Sequence, residues 1–419
     1  METFFKVKTP QEVFAIIDGF LPVGKEMIPL EEALGRTLNR DLAAPEDLPH
    51  FSRSSMDGYA VRAQDTFGAS ESLPALLEVC TEVNTGRPPE TDIRPGQAAK
   101  ISTGGMLPEG ADGVVMVEYC RPLDGRALEV SRSISPLENV ILPGDDFKKG
   151  SIFLHKGTCL RPQELGVLAG LGLSEVPVFR RPRVAFISTG DEVVPAREMP
   201  LPGQVRDVNR YTLSGFCTEL QSEPLYLGLC PDEPAALETL VLKGVRQADT
   251  VWVSGGSSVG TRDLTLQIFK ALPDFELLVH GISISPGKPT IIGRSGTKPV
   301  VGLPGHVASA LVVAEVFLSR LIFRLSGRAE KFAFAGRKVE ALLSRNIESA
   351  SGREDYIRVK LLQQNGDTLT AEPIFGKSGL ISPLVEADGL LRVHMNTEGI
   401  YKGEKVEILL FKNPGRIGP

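Results

Sequence analysis

The feature that most constrains the fold is a regular alternation of apolar runs and helix-like segments between residues 182 and 327. Continuous apolar runs such as VAFIST and TVWVS alternate with segments such as PAALETLVLKGVRQA, whose apolar residues follow helical spacing. Continuous apolar strands separated by helices are typical of a parallel sheet covered by helices on both faces. We therefore predict a doubly wound α/β domain over residues 179–328.

The sequence before this domain has a different residue pattern. Thr9-Pro10-Gln11-Glu12 combines a capping residue, a proline at the first helical position and a glutamate three residues on, which predicts a helix start. LEEALGRTL (30–38) predicts a second short helix, and RPQELGVLAGLGL (161–173) predicts a further one. We assign residues 1–50 and 140–178 to an N-terminal helical and linker domain.

Two regions are rich in short strand-like runs. Between residues 51 and 139, prolines and glycines recur between runs such as LLEVC, AAKIS and GVVMVE, which predicts a small β domain. After the α/β domain, Asn365-Gly366 separates two strand-like runs, which is a strong hairpin signal. We predict a separate C-terminal β domain over residues 329–419.

Charge and cysteine usage exclude several classes of protein. The net charge is -6, so the basic excess that binding to duplex nucleic acid requires is missing. The five cysteines are scattered without a C-x-x-C pair, which predicts no zinc knuckle or redox dithiol and favours a reducing compartment. The most apolar stretch, 307–325, carries Glu315, Arg320 and Arg324, so it predicts a buried helix and no membrane association. METFFKVKTP has no signal-peptide pattern, and we expect a cytoplasmic protein.

Small and polar residues follow four of the predicted strands of the α/β domain. They are Thr189-Gly190-Asp191-Glu192, Ser254 to Asp263, Ser285-Pro286-Gly287-Lys288-Pro289 and Leu303-Pro304-Gly305-His306. In open α/β sheets, ligands bind outside the carboxyl ends of the strands. One such segment would be an ordinary turn, but four together predict a ligand site at this edge.

The residue types at this edge suit an anionic ligand. SGGSSVG can present backbone N–H groups and serine hydroxyls to a phosphate. Asp263 is either the N-cap of the following helix or a carboxylate for a hard cation or a ribose hydroxyl. Lys288 is either a fixed cation for phosphate or a solvated turn lysine. Asp191 and Glu192 either hold a divalent metal, accept hydrogen bonds from a heterocycle, or form a capped turn.

Several common enzyme motifs are missing. Counted from Gly281, proline stands at position 286 where a Walker A loop has its second glycine, and Pro289 follows Lys288 in place of Ser or Thr, so nucleotide hydrolysis of that type is not predicted. The sequence contains no G-x-G-x-x-G fingerprint, and its only G-x-S-x-G string, Gly256 to Gly260, belongs to the glycine-serine segment described above. Serine hydrolysis and hydride transfer are therefore not predicted.

Six motifs in a fixed order resemble a known family. They are SSMDGYAVR, STGGMLPEGADGVVMVE, STGDE, VSGGSSVG followed by TRD, SPGKP and GLPGHVASA. In this order they resemble the molybdopterin molybdenumtransferase family, which includes bacterial MoeA and the gephyrin E domain. The resemblance spans nearly the whole chain.

The resemblance implies an architecture and a reaction. It implies an elongated four-domain homodimer with a molybdopterin-binding-like α/β domain and a C-terminal β-barrel. The active site would lie between the α/β domain of one subunit and the β domain of the other. The implied enzyme inserts molybdate, or tungstate, into adenylylated molybdopterin and releases AMP, as a step of molybdenum cofactor biosynthesis.

The resemblance also implies roles for particular residues. The implied catalytic residues are Asp57, Thr103, Asp146, Glu192, Asp263 and Lys288. The implied pterin- and phosphate-binding residues are Gly255, Gly256, Ser257, Ser258, Pro286, Gly287, Pro304, Gly305 and His306. Asp57, Asp191 and Glu192 would hold Mg²⁺ on the bridging phosphates.

The chain departs from the family pattern in three places. Ser285 stands where the family usually has a lysine, His306-Val307 replaces Asn-Pro, and Ile141 replaces an arginine. Each change alters polar contacts around an anion, so both molybdate and tungstate stay open as the oxyanion.

Two other functions stay open beside the transferase. One is a non-catalytic molybdopterin-binding paralogue or scaffold protein, and the other is a molybdopterin adenylyltransferase. We expect a molybdopterin-type small-molecule substrate, and other proteins of molybdenum cofactor biosynthesis are candidate partners.

Overall fold

The computed structural model describes residues 7–123, 125–255, 259–329, 338–363 and 369–411, with the backbone alone at 259–263. The chain divides into two compact units. The first comprises Met1–Arg40, Lys156–Gln163 and Glu175–Pro419, and the second comprises Asp41–His155 and Glu164–Ser174.

The strands, in chain order, are β1 (Lys25–Pro29), β2 (Leu42–Ala43), β3 (Arg53–Ser54), β4 (Gly58–Val61), β5 (Ala75–Val83), β6 (Gln97–Ile101), β7 (Gly113–Met116), β8 (Cys120–Pro122), β9 (Ala127–Val130), β10 (Val140–Ile141), β11 (Ile152–Leu154), β12 (Glu175–Phe179), β13 (Arg183–Thr189), β14 (Val193–Val194), β15 (Val205–Arg206), β16 (Glu223–Cys230), β17 (Thr250–Gly255), β18 (Phe275–His280), β19 (Ile284–Ser285), β20 (Ile291–Ser295), β21 (Lys298–Leu303), β22 (Lys338–Leu343), β23 (Ile347–Glu348), β24 (Glu354–Gln363), β25 (Leu369–Pro373), β26 (Gly389–Val393), β27 (Gly399–Ile400) and β28 (Lys405–Leu410). The α-helices are α1 (Pro10–Asp18), α2 (Pro162–Gly170), α3 (Asn209–Glu219), α4 (Pro234–Gln247), α5 (Val259–Lys270), α6 (Val307–Val313), α7 (Ser319–Leu325) and α8 (Ser382–Glu386). A π-helical segment, Ala314–Leu318, joins α6 to α7.

The N-terminal segment confirms one predicted helix and corrects another. The Thr9 hydroxyl accepts from the Glu12 N–H at 3.3 Å, and the Glu12 carboxylate accepts from the Thr9 N–H at 2.8 Å, so the capping box that starts α1 is present. The helix predicted over 30–38 is wrong, because only Leu30–Glu32 forms a short 3₁₀ turn. Gly35 adopts a φ of 75°, and its N–H donates to the Leu160 carbonyl, so the backbone pairs with a neighbouring segment instead of continuing a helix.

The α/β sheet of the first unit has the strand order β16-β13-β17-β21-β20-β18. Successive residues of β13 face opposite cores: Phe186 packs with helices α3 and α6, and Ile187 packs with α4 and α5. Helices therefore cover both faces, as predicted. The prediction of an all-parallel sheet is wrong at β20, which is antiparallel to β18 and β21 because a tight turn at Gly296 joins β20 to β21 as a hairpin.

The register of this sheet aligns several strand ends. Thr189 pairs with both Cys230 and Gly255, and Ser254 pairs with Leu303. Strands β16, β13, β17 and β21 therefore end at one edge of the sheet.

The C-terminal part of the first unit is a closed barrel in the order β24-β25-β22-β28-β26, with β26 returning to β24. Strand β19, from the loop that carries Lys288, adds to β24 in parallel through the pairs Ile284 with Glu354 and Ser285 with Asp355. Strands β24 and β25 pair antiparallel. The predicted turn at Asn365-Gly366 between them lies outside the described residues.

The second unit contains a six-stranded sheet in the order β7-β4-β6-β5-β9-β8 and the small pairs β3–β10 and β2–β11. Tyr59, Val61, Val115 and Leu128 belong to its buried core. No helix in the described part of the chain is long and apolar enough to cross a membrane.

Candidate functional site

Two clefts open at the carboxyl edge of the α/β sheet. The first, the Asn209 cleft, has a volume of about 670 Å³ and is lined by residues that include Glu192, Asn209, Ser254 and Gly255. The second, the Lys288 cleft, has a volume of about 790 Å³ and is lined by residues that include Pro286, Gly287, Lys288 and Pro304. Gly305 and His306 line both clefts, so the two form one continuous region of the edge.

The loop after β17 is only partly described. Gly255 lies where β17 touches β13, and a Cβ there would stand 2.1 Å from the Thr189 carbonyl oxygen, so only glycine fits. Gly256, Ser257 and Ser258 lie outside the described residues. The N-cap alternative for Asp263 is wrong, because α5 begins at Val259 and Asp263 already lies inside the helix. The Asp263 side chain is also outside the description, so its catalytic role stays a prediction.

Two acidic residues and Thr189 form a hydrogen-bonded group at this edge, and the charge of a third, Glu192, acts on it. The Thr189 hydroxyl donates to Asp232 Oδ1 at 2.7 Å, and the Asp232 N–H donates to Asp191 Oδ1 at 3.1 Å. Burial raises the pKa of Asp232, the Thr189 hydroxyl opposes that shift, and the charges of Asp191 and Glu192 raise the pKa further. Sequence reasoning missed Asp232, although it follows β16 at the same edge and the strand-end rule could have found it.

These carboxylates provide only a few protein ligands for the predicted Mg²⁺. Within the described residues, no three His, Cys, Asp or Glu side chains converge as a metal site. Mg²⁺ is usually held by one or two carboxylates together with substrate phosphates. Asp191 and Glu192 therefore fit a site that a phosphate completes, and they do not form a cage of protein ligands alone.

Asn209 joins two of the loops. Its Nδ2 donates to Ser254 Oγ at 2.7 Å and to the Gly305 carbonyl at 2.8 Å. Its Oδ1 is buried and has no hydrogen-bond partner among the residues that the structure describes. Neighbouring Asp207 is also buried and accepts from the Arg210 N–H and the Tyr226 hydroxyl. Both residues were missed from the sequence, although the polar segment Asp207-Val208-Asn209 directly precedes a helical pattern.

Lys288 stands on a rigid turn in its cleft. The Ile282 N–H donates to the Lys288 carbonyl at 2.9 Å, and the Thr290 hydroxyl donates to the Gly287 carbonyl at 2.7 Å. Gly287 has a φ of 114°, which favours glycine. The Lys288 side chain is exposed, and its ammonium pairs with no group among the described residues.

Two arginines of the barrel lie close to this loop. Arg353 lines the Lys288 cleft, and with Arg358 it also lines an adjoining cavity of about 390 Å³ that includes Ser285 and Pro286. Arg358 is 8% exposed; its Nη2 donates to the Gly376 carbonyl, and its Nη1 has no partner in the described ranges of the chain. Burial lowers the pKa of this guanidinium. An arginine whose buried Nη1 has no described partner is a candidate for binding an anion, although the carboxylates of Glu348 and Asp355 line the same cavity.

His306 connects the sheet edge to the C-terminal part of the unit. It is the N-cap residue of α6, and its Nδ1 lies 3.2 Å from Ser378 Oγ. The Ala308 N–H also donates to the Ser378 carbonyl. The departure from the family pattern at His306 therefore lies at a hydrogen-bonded junction that borders both clefts.

Asp57, Thr103 and Asp146 belong to the second unit. Asp57 Oδ1 accepts from the Thr103 N–H at 2.7 Å and from the Thr103 hydroxyl at 3.1 Å, and these bonds lower the pKa of Asp57. The structure thus brings two predicted residues together. Gly58 lets β4 approach β7, because a Cβ there would stand 1.9 Å from the Val115 carbonyl oxygen. Asp146 is exposed, and its N–H donates to the Leu48 carbonyl.

The third departure, Ile141, lies in β10 of the second unit. It pairs directly with Arg53 of β3. Directly paired residues of an antiparallel ladder project from the same face. A guanidinium is therefore present on this strand pair even though the family arginine is not.

Comparison with known proteins gives matches along the whole chain. Family models match at residues 8–172 (MoeA N-terminal region, domain I and II), 185–324 (probable molybdopterin binding domain) and 340–411 (MoeA C-terminal region, domain IV). The chain is 35% identical to a putative molybdopterin biosynthesis protein of Methanocaldococcus jannaschii over 96% of both chains. It is 33% identical to the molybdopterin molybdenumtransferase of Haemophilus influenzae over 94% of this chain and 95% of that one. A crystal structure of the molybdopterin biosynthesis moeA protein from Pyrococcus horikoshii superposes with a TM-score of 0.84 at 31% identity, covering 97% of this chain and 100% of that chain.

Proposed function

Because the chain belongs to the MoeA family, we propose that it is a molybdopterin molybdenumtransferase. In the proposed reaction, the dithiolene of adenylylated molybdopterin takes up molybdate, the pyrophosphate bond is cleaved, and AMP leaves. The product is molybdenum cofactor. The relatives that match over most of the chain favour this reaction over adenylylation of molybdopterin, since the N-terminal and C-terminal regions match MoeA as well.

One observation carries the proposal: two cationic side chains with groups that pair with nothing in the described part of the chain lie at the clefts. Lys288 lines the Lys288 cleft, and its ammonium pairs with no described group; the buried Arg358 lines the adjoining cavity, and its Nη1 has no described partner. A tetrahedral dianion such as molybdate or tungstate suits such a place, because each charge-assisted contact contributes about 1.5–3 kcal/mol. Arg353 borders the same cavity as Ser285, near the position where the family lysine is missing, but its Nε pairs with Asp355 Oδ1 at 3.0 Å, so that carboxylate offsets its charge.

We propose that the phosphates of the substrate lie along the same edge. Backbone N–H groups near Gly255 and Gly305 would orient the phosphate oxygens. Asp191 and Glu192 would hold Mg²⁺ together with those oxygens, and the ion would offset their negative charge. In the second unit, Asp57 is held ionised by Thr103, which suits a residue that faces a cation or a hydrogen-bond donor.

The test is AMP release from adenylylated molybdopterin by the purified protein, with molybdate and tungstate titrated separately. We expect one or both oxyanions to stimulate release, with Mg²⁺ required. If neither oxyanion stimulates release while the adenylylated compound still binds, the chain is a non-catalytic paralogue and the proposal is wrong. A separate assay of pyrophosphate release from ATP and molybdopterin would reveal an adenylyltransferase, because that enzyme transfers AMP to molybdopterin and releases pyrophosphate.

We also propose that the chain acts as a cytoplasmic homodimer. The proposal comes from the family resemblance, and light scattering after gel filtration tests it. A particle of twice the 45.2 kDa chain mass is expected. A particle of the chain mass at assay concentration would contradict it.

A further inference from the structure

The amide of Asn209 has a fixed orientation. The Gly305 carbonyl can only accept a hydrogen bond, so the amide atom 2.8 Å from it must be the donor Nδ2. The same Nδ2 lies 2.7 Å from Ser254 Oγ and donates to it. The alternative rotamer, with Oδ1 against the Gly305 carbonyl, would place two acceptors together and is excluded.

This orientation determines what the Ser254 hydroxyl does. Its oxygen accepts from Asn209, so its own hydrogen must point toward a different acceptor. No acceptor for that hydrogen is present among the described residues. Ser254 and Asn209 both line the Asn209 cleft, beside Gly255 and Gly305. The hydroxyl hydrogen is therefore available to an acceptor atom of a ligand.

A second observation points the same way. Asn209 is 9% exposed, yet its buried Oδ1 receives no hydrogen bond from any described residue. Buried polar atoms without partners are rare, because each has lost its water without compensation. A side chain that only joined two loops would gain by satisfying this oxygen. The free-energy cost of the unpaired Oδ1 is explained if the surrounding structure holds the amide in this orientation to position the Ser254 hydroxyl.

We propose that Asn209 is a positioning residue that orients the Ser254 hydroxyl as a hydrogen-bond donor to an acceptor oxygen of the bound substrate. The inference rests on the proposed function and extends it to Asn209, which no motif had indicated, and to the hydroxyl of Ser254. Two substrate groups offer such an oxygen: a phosphate of the diphosphate and the carbonyl of the pterin ring.

Binding of simple ligands distinguishes these two sources. AMP, adenosine and 6-hydroxymethylpterin are each titrated by calorimetry into wild type, Ser254→Ala, Asn209→Ala and the double variant. If the acceptor is a phosphate, Ser254→Ala weakens the binding of AMP about tenfold or more and leaves the binding of adenosine unchanged. If the acceptor is the carbonyl of the pterin ring, the same variant weakens the binding of 6-hydroxymethylpterin instead.

The double variant tests the positioning role. If Asn209 acts through Ser254, the two substitutions are not additive, and the double variant binds about as weakly as Ser254→Ala. Additive losses, or wild-type affinity for all three ligands in Ser254→Ala, would overturn the proposal. Thr212→Ala is the matched control: it removes a hydroxyl from the same helix that bonds only the Val208 carbonyl, and we expect unchanged binding.

Two further measurements show whether a variant has lost its fold and whether the protein has the proposed activity. Thermal unfolding of each variant shows whether it is folded, and Ser254→Cys replaces Ser254→Ala if the latter is not, because a thiol keeps the volume and is a weak donor. AMP release by wild type is measured in parallel. Release by wild type together with unchanged binding in the variants would reject the inference alone, whereas absent release would reject the transferase.

Discussion

Lys288 and Asp57 are the single residues from which the largest catalytic effects are expected. Lys288→Ala removes a free ammonium from a turn that hydrogen bonds already hold in place. Asp57→Ala removes the carboxylate that Thr103 holds ionised. We expect each variant to slow AMP release roughly 10²-fold or more without unfolding.

Steady-state kinetics and circular dichroism check this pair. Lys402→Ala is the control for loss of an exposed lysine, and it should turn over like wild type. Near-normal turnover in both Lys288→Ala and Asp57→Ala would remove the site assignment.

Asp232 should show a conflict between stability and activity. Its pKa is raised by burial and by the charges of Asp191 and Glu192, so its ionised form costs the folded state free energy. That cost is absent below the ordinary carboxyl pKa of 3.8 and grows as the pH rises through the higher pKa of the folded state. We therefore expect Asp232→Asn to raise the Tm at pH 7, to lose this advantage below about pH 4, and to lower activity.

Calorimetry across pH measures the effect at Asp232. Glu233→Gln, an exposed neighbouring carboxylate, is the control and should leave the Tm unchanged at every pH. An Asp232→Asn protein that is less stable than wild type at neutral pH would show that its carboxylate is part of a stabilising contact.

At the scale of elements, the contact between β13 and β17 depends on one glycine. In Gly255→Ala, the new methyl group would collide with the Thr189 carbonyl, so the two strand ends must separate. We expect a loss of about 1–3 kcal/mol of stability and weaker substrate binding, because both strand ends border the Asn209 cleft.

Gly215→Ala is the matched control for Gly255→Ala. Its Cβ meets nothing within 4 Å on helix α3, so stability should rise by up to about 1 kcal/mol. Urea unfolding measures both variants. Equal effects of the two substitutions would mean that the strand ends adapt without cost.

The sequence predicted those elements whose signal is local. The capping box of α1 and the alternating strands and helices of the α/β domain are confirmed, because both depend on residues close together in the chain. The helix over 30–38 failed because Gly35 and pairing with a distant segment decided that backbone. The prediction that β20 is parallel to its neighbours was wrong, because apolar content indicates a buried strand but not the direction in which it runs.

The site was predictable to a similar extent. Glycines and charged residues after strands were visible in the sequence, and their order indicated the family. Arg353 and Arg358 were not, because they come from the barrel, more than sixty residues after Lys288, and reach the cavity only through the pairing of β19 with β24. The orientation of Asn209 depends on two acceptors that are also distant in sequence.

At the scale of the whole molecule, the two compact units should unfold at different urea concentrations. Each has its own core, and multidomain chains often depart from two-state behaviour. Trp252, the only tryptophan, is fully buried in the first unit and packs 5.3 Å from the Phe186 ring. We expect its fluorescence transition not to coincide with the transition seen by far-ultraviolet circular dichroism, which reports both units.

Trp252→Phe should abolish the tryptophan fluorescence and leave the dichroism transition in place. This result would confirm that the fluorescence transition reports the first unit. Superimposable transitions by the two methods would show that the units unfold as one. The four predicted domain boundaries, including those of the β domain at 51–139, stay predictions that limited proteolysis can examine.

The strand pair β19–β24 has a consequence for the history and engineering of this protein. Lys288 follows a strand whose hydrogen-bonding partner is the barrel, and two guanidinium groups of the barrel border the same cavity. A chain shortened to residue 329 would keep the six-stranded sheet but lose the partner of β19 and both arginines. The barrel therefore cannot be exchanged between relatives as an independent module: a chimaera would need to inherit the Lys288 loop and β24 from the same parent.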